Sequence, residues 1–265
     1  MNTPNISKTY RTGKNLFFLY YKKNFTSLKF VLSLIPIIWI VMLTTGYVYN
    51  QLDWRPIITQ RIVDADFFWQ GMIFQFRQFG PLMPIIITSS IVSYDFAKNT
   101  APLIYTSISR KKYLVSNLIF LILHQILLLT ISFLVMDIIL FVLVQKFISF
   151  HVLLIGFLYA LVLMIFYTSF TFILSSLLLN SNISLLIPII YWIFGVILLN
   201  TGLELLVIDY YANDVWEFVI TYILSGKFRA EGHFLHLDFI AFIFVPIVLF
   251  VLSIRGFQLI EIRKE

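Results

Sequence analysis

Apolar residues run along this chain in long unbroken stretches, without the alternation that marks a half-buried strand. Six stretches reach the roughly 20 residues a helix needs to cross ~30 Å of hydrocarbon at ~1.5 Å per residue. They cover about 28–49, 72–94, 114–144, 152–179, 183–206 and 237–257. Pro81 and Pro84 lie inside the second, and Pro188 near the start of the fifth. The third and fourth exceed the minimum and are expected to tilt or project beyond the bilayer. Helices are favoured over a transmembrane barrel, whose strands alternate. The expected fold class is therefore all-α: a polytopic membrane protein of six transmembrane helices, one domain over 1–265.

Composition narrows this further. Of 265 residues, 60% are hydrophobic and 12% charged. A soluble fold would have no core large enough for such a chain and too little polar surface to cover it. An ordinary soluble enzyme and a disordered regulator are both excluded. Cysteine is absent, which removes disulfides and thiolate chemistry. The first apolar run follows a long polar stretch and lacks a small-residue cleavage site, so it is read as retained.

Charge gives orientation. Lys8, Arg11, Lys14, Lys22, Lys23 and Lys29 precede span one, while Lys98, Arg110, Lys111 and Lys112 separate spans two and three. Arg255, Arg263 and Lys264 follow span six. These thirteen share one side; six others, Arg77 among them, fall on the opposite side. The positive-inside rule then predicts two cytoplasmic termini. The net charge of +6 is a membrane-border signal, with no nucleic acid implied. Asp209, Asp214 and Glu217 are assigned to the outer side.

Two segments are expected to be helical without crossing. Residues 14–30 place Phe17, Tyr21, Phe25 and Leu28 at helical spacing, with Asn15, Lys22 and Lys29 on another face. They predict an interfacial helix lying on membrane lipid. Residues 204–236 form a long outer stretch, whose part 215–224 is apolar but too short to span. Its Trp216, Phe218 and Tyr222 predict an element dipping into or lying on the outer leaflet. The plain alternative is a loop helix packed on the bundle.

Catalytic motifs are missing. There is no G-x-S-x-G elbow, no H-E-x-x-H pair and no P-loop. Ser225-Gly226-Lys227 copies only a P-loop's end, with Thr221 where the first glycine belongs. His233 and His236 lie between Glu231 and Asp238 and form a weak metal candidate; a polar boundary before span six is favoured. His124 and Gln125 in span three read as interhelical hydrogen-bonding groups. Asp137 is the one acidic residue well inside a predicted span, and such a charge is a functional candidate by default. Arg77 at similar depth in span two is its expected partner, in a structural pair.

The informative segment is the loop 93–113. It has Asp95 at the membrane exit, Leu103, Ile104, Tyr105 and Ile108 as apolar groups, and Arg110, Lys111 and Lys112 at re-entry. An apolar cluster with a charged rim suits docking of a protein partner. The bland reading is a basic loop against anionic headgroups. The run Asp95, Asn99-Thr100, Leu103, Ile108-Ser109-Arg110 and Tyr113 resembles the first cytoplasmic loop of six-helix ATP-binding-cassette exporter permeases. Asp95, Asn99 and Ser107 stand where that family often has Glu, Gly and Pro.

The resemblance implies a coupling helix at about 96–106 that docks a separate ATPase subunit. Asp95, Phe96, Asn99, Thr100, Leu103, Ile104, Tyr105, Ile108 and Arg110 would be its partner-binding residues. It implies ATP and Mg on that partner, with no cofactor or catalysis on this chain. It also implies a second permease chain, as homodimer or heterodimer, and a multi-pass place in the cell membrane. Two other readings stay open. One is an intramembrane enzyme acting on lipid or peptide, for which Arg77, His124 and Asp137 are scattered. The other is a non-transporting anchor or immunity protein.

Overall fold

The computed structural model describes residues 28–53, 65–93, 109–145, 147–198, 208–225 and 235–261. Every element among them is an α-helix. In chain order they are α1 (Leu28–Asp53), α2 (Ala65–Phe79), α3 (Leu82–Thr88), α4 (Arg110–Val144), α5 (Phe150–Leu178), α6 (Ser181–Leu198), α7 (Ile208–Ser225) and α8 (Leu235–Glu261). The predicted interfacial helix lies almost wholly outside the described residues.

Among the described residues, three stretches are long and apolar enough to cross a membrane: Lys112–Leu143, Phe150–Leu178 and Leu237–Arg255. Shorter apolar helices are Val31–Gly46 and Ser181–Gly195. The predicted second span differs from expectation. The helix begins earlier, at Ala65, and breaks at Gly80 and Pro81. The Gly80 N–H donates to the Phe76 carbonyl at 2.8 Å, closing α2. A side chain on Gly80 would overlap that same carbonyl and the tip of Met164. Pro81 lacks an N–H and cannot continue the ladder, while Pro84 sits in the first turn of α3, where no N–H is needed.

The bundle is organised around α5, which packs against α2, α3, α4, α6, α7 and α8. Its buried side includes Thr168, Ser169, Thr171, Ser175 and Ser176 beside Leu163, Met164 and Phe172. Small residues and short hydroxyls let helices approach closely where hydrocarbon supplies no hydrophobic drive. Gly156 makes the closest approach. A methyl there would overlap Ile73, and the Trp69 indole N–H donates to the Val152 carbonyl at 3.3 Å. Trp69 and Phe76 meet Phe133 of α4 edge-on, at 4.6 and 5.2 Å between ring centres.

The outer faces are apolar. Ile119, Leu123, Leu127, Ile131, Leu134 and Ile138 form an exposed stripe on α4, at spacings of three and four. Leu237, Ile240, Phe244, Ile247 and Val251 do the same on α8. Outward apolar stripes around an interior that mixes hydroxyls with apolar side chains suit a lipid solvent.

Two tight returns link the long helices. Gln145 and Leu179 both take left-handed backbone angles, with φ of 58° and 52°, and end α4 and α5. Asn180 then caps α6: its Oδ1 accepts from the N–H groups of Asn182 and Ile183 at 3.0 and 3.3 Å.

Candidate functional site

The loop that carries the sequence motif lies largely outside the described residues. Asp95, Phe96, Asn99, Thr100, Leu103, Ile104, Tyr105 and Ile108 all belong to it. Its two borders are described. Before it, the Ser93 N–H donates to Ser175 Oγ at 3.4 Å, and the Ser175 hydroxyl donates to the Ser89 carbonyl at 3.1 Å. After it, Ser109 precedes α4, Arg110 opens that helix, and Tyr113 is fully buried. The Tyr113 N–H donates to the Ser109 carbonyl at 3.0 Å. Both borders are thus tied into the bundle by buried contacts.

The intramembrane candidates do not converge. Asp137 accepts the Ile148 N–H at 3.1 Å, so it holds the return between α4 and α5. Arg77 instead donates to Asn213 Oδ1 of α7 at 2.6 Å. The expected Arg77–Asp137 pair is therefore corrected: matched depth does not make contact, and each group found a nearer hydrogen-bonding partner. His124 is buried, with its ring stacked on Phe120 at 6.0 Å. His233 lies outside the described residues, and His236 sits in the first turn of α8. No group of His, Asp and Glu positioned to hold a metal ion occurs among the described residues.

A different set of residues does converge. Asp209 is only 3% exposed and faces α5 and α6. The Tyr167 hydroxyl donates to its Oδ2 at 2.9 Å. A side chain on Gly195 would overlap that oxygen, so the glycine leaves the space the carboxylate fills. One residue earlier, the Ile208 N–H donates to the Tyr191 hydroxyl at 2.9 Å. That N–H is an orphan donor of the α7 N-terminus, and a first-turn carboxylate suits the helix dipole. Tyr167 lies 17 residues into α5, roughly 26 Å along it at ~1.5 Å per residue. Asp209 is therefore packed beside the middle of the long helix. Asp209, assigned by charge to the outer side, is buried inside the bundle, where the Tyr167 hydroxyl and the space left by Gly195 receive its carboxylate.

The network continues along α7. Arg77 acts electrostatically on both Asp209 and Asp214, favouring their charged forms. The Asn213 amide donates to Glu217 at 3.4 Å. The Tyr159 hydroxyl donates to the Ala212 carbonyl at 3.0 Å. Burial pushes Asp209 up from 3.8 to about 6, against the Tyr167 hydrogen bond and Arg77. Asp214 is also raised, first by burial and then by its hydrogen bond with Asp238.

Neither a model of any known protein family nor any curated protein matches the chain.

The site's meaning therefore rests on its geometry. Asp209, Tyr167, Tyr191 and Arg77 join four helices through hydrogen bonds that are buried or partly buried. The network ties α7 to α2, α5 and α6. Sequence reasoning took only Arg77 among these as a site candidate and assigned Asp209 to the outer side by charge. One signal was available: Asp209, Asn213 and Glu217 recur every four residues, which is a polar stripe on a helix.

Proposed function

We propose that the chain is the transmembrane subunit of an ATP-driven exporter of the ATP-binding-cassette type. It crosses the cell membrane several times with both termini cytoplasmic and works beside a second permease chain. A separate ATPase subunit binds ATP and Mg, hydrolyses the nucleotide and docks on the loop 95–113. The observation that carries this reading is the loop motif itself: Asp95, Asn99-Thr100, Leu103, Ile108-Ser109-Arg110 and Tyr113.

Three further observations support it. The chain has no P-loop of its own, so its energy would arrive from a partner. The borders of the loop are fastened to α3, α4 and α5 through Ser89, Ser93, Ser175 and Tyr113, so a push on the loop reaches the bundle. The exposed apolar faces of α4 and α8 suit lipid and a second chain. Energy passes from ATP through the loop into the helices, and cargo and nucleotide then affect each other's binding.

The test is a detergent pull-down of the chain from its native membrane. A P-loop ATPase recovered in comparable amount supports the reading. Its absence, under conditions that preserve comparable complexes, leaves the loop without the partner proposed here.

A further inference from the structure

One stripe of α5 follows α3 from end to end. Met164, Thr168, Thr171 and Ser175 succeed one another at spacings of four, three and four, so they share one side of the helix. Contacts fix both ends of the stripe. The tip of Met164 lies beside Gly80, just before α3, and the Ser175 hydroxyl donates to the Ser89 carbonyl, just after it. Thr168 and Thr171 stand between these two points, against α3. Their hydroxyls depart from the habit of this bundle. A helical Ser or Thr can satisfy itself on a carbonyl three or four residues back. Thr44, Thr130, Ser132, Ser176 and Ser184 all do so. Thr168 and Thr171 do not. Both are fully buried, and neither hydroxyl has a hydrogen-bond partner among the described residues. The same holds for Thr88, the last residue of α3.

A buried polar group without a bond is unfavourable, so these three hydroxyls call for an occupant. Its chemistry follows from theirs. A hydroxyl both donates and accepts. A metal cation would serve only the oxygens, an anion only the O–H groups, and a lipid chain neither. Helices α3 and α5 carry no Lys, Arg, Asp or Glu to balance a bound ion. Water serves donor and acceptor alike and brings no charge. The seam is closed to it in this conformation, and the closure is slight. At the end nearest the loop 93–113 it consists of the Ser175–Ser89 bond at 3.1 Å and the Ser93–Ser175 bond at 3.4 Å. The second lies beyond the usual N–H···O range. At the other end the helix is already broken at Gly80 and Pro81, so α3 can part from α5 without unwinding α2.

We propose that the seam between α3 and α5 is a gated water path. Helix α3 parts from α5 at the end bordered by the loop 93–113, and water enters to bond Thr88, Thr171 and then Thr168. That a partner on the loop drives the parting rests on the transporter reading. Water entry does not, and the test needs no ATPase.

The chain has no cysteine, so single-cysteine variants report without background. Thr168→Cys, Thr171→Cys and Phe172→Cys are each made in the full chain, placed in phosphatidylcholine nanodiscs and treated with a methanethiosulfonate carrying a trimethylammonium group. Thiols react as thiolates, and apolar burial keeps them protonated. Phe172 is as fully buried as Thr171 and next to it in sequence, so it serves as the dry control. Thr171→Cys is expected to react at least about tenfold faster than Phe172→Cys, with Thr168→Cys between the two. Thr88→Cys reports from the facing helix and should match Thr171→Cys, which keeps the test open if one variant fails to fold. Thr171→Val, added to Thr168→Cys, keeps the shape without the hydroxyl and should slow the reaction. Rates at Thr88→Cys and Thr171→Cys no higher than at Phe172→Cys overturn the proposal. A faster reaction at Thr168→Cys than at Thr171→Cys overturns entry from the loop end. An unchanged rate with Thr171→Val overturns the part given to the hydroxyls.

Discussion

The loop 93–113 and the Asp209 site are opposites in how they reveal themselves. The loop announces its resemblance in about twenty consecutive residues, because docking by a short helix needs only local spacing. The Asp209 site is assembled from contacts that span 42 residues (Tyr167 to Asp209), 136 (Arg77 to Asn213) and 17 (Tyr191 to Ile208). No local pattern encodes those meetings; packing around α5 does. A surface that meets a partner can be written in sequence, whereas an interior site is written in the fold.

This contrast predicts that substitutions in the bundle change stability and spare partner binding, while those in the loop do the reverse. The largest effect belongs to Gly156→Leu. The new side chain would collide with Ile73 and Trp69, where α2 meets α5. Overpacking of this kind costs about 3 kcal/mol or more, so a large fall in thermal midpoint in detergent is expected. A midpoint within a degree of wild type would mean that α2 does not pack there.

Next comes pH. Asp209 titrates near 6 in the folded chain and near 3.8 when exposed. The folded state therefore binds more protons between those values. This group's contribution to stability is fully present below about 3.8 and is lost as pH rises through about 6. At ~1.4 kcal/mol per pKa unit, the wild type should lose on the order of 2–3 kcal/mol between pH 4 and pH 7 relative to Asp209→Asn. Parallel pH profiles for the two proteins would place Asp209 in water instead.

A smaller loss is expected of Tyr167→Phe, which removes the hydroxyl that donates to Asp209. A hydrogen bond to a charged group contributes about 1.5–3 kcal/mol, and the same substitution should shift the pH midpoint of Asp209 upward. Smallest of all is Ile138→Ala on the exposed face of α4, expected to cost below about 0.5 kcal/mol. A large loss there would reveal a protein contact where lipid is assigned.

Much of the architecture was legible. The three long apolar helices α4, α5 and α8 follow directly from unbroken hydrophobic runs, because lipid leaves a backbone no other way to satisfy its polar groups. The break at Gly80 was half legible: Pro81 and Pro84 were visible, but the Met164 side chain that fills the space beside Gly80 comes from far along the chain. Asp137 and Arg77 misled because depth in a membrane is one coordinate out of three. Asp137 found the backbone of its own return loop, and Arg77 found α7, for which the sequence reading had kept packing on the bundle only as its plain alternative. Reading α7 as an amphipathic helix, with Asp209, Asn213 and Glu217 as its polar stripe, would have brought it nearer.

The measurement that bears most directly on the central claim is co-purification with the triple variant Leu103→Ala, Ile104→Ala, Tyr105→Ala. Wild type and variant are expressed in the native membrane, brought to equal amounts in detergent and compared for bound P-loop ATPase, with thermal midpoint measured alongside. The expected result is an unchanged midpoint with ATPase recovery reduced at least about tenfold. Equal recovery of ATPase from both proteins would contradict the assignment of 96–106 as the docking helix.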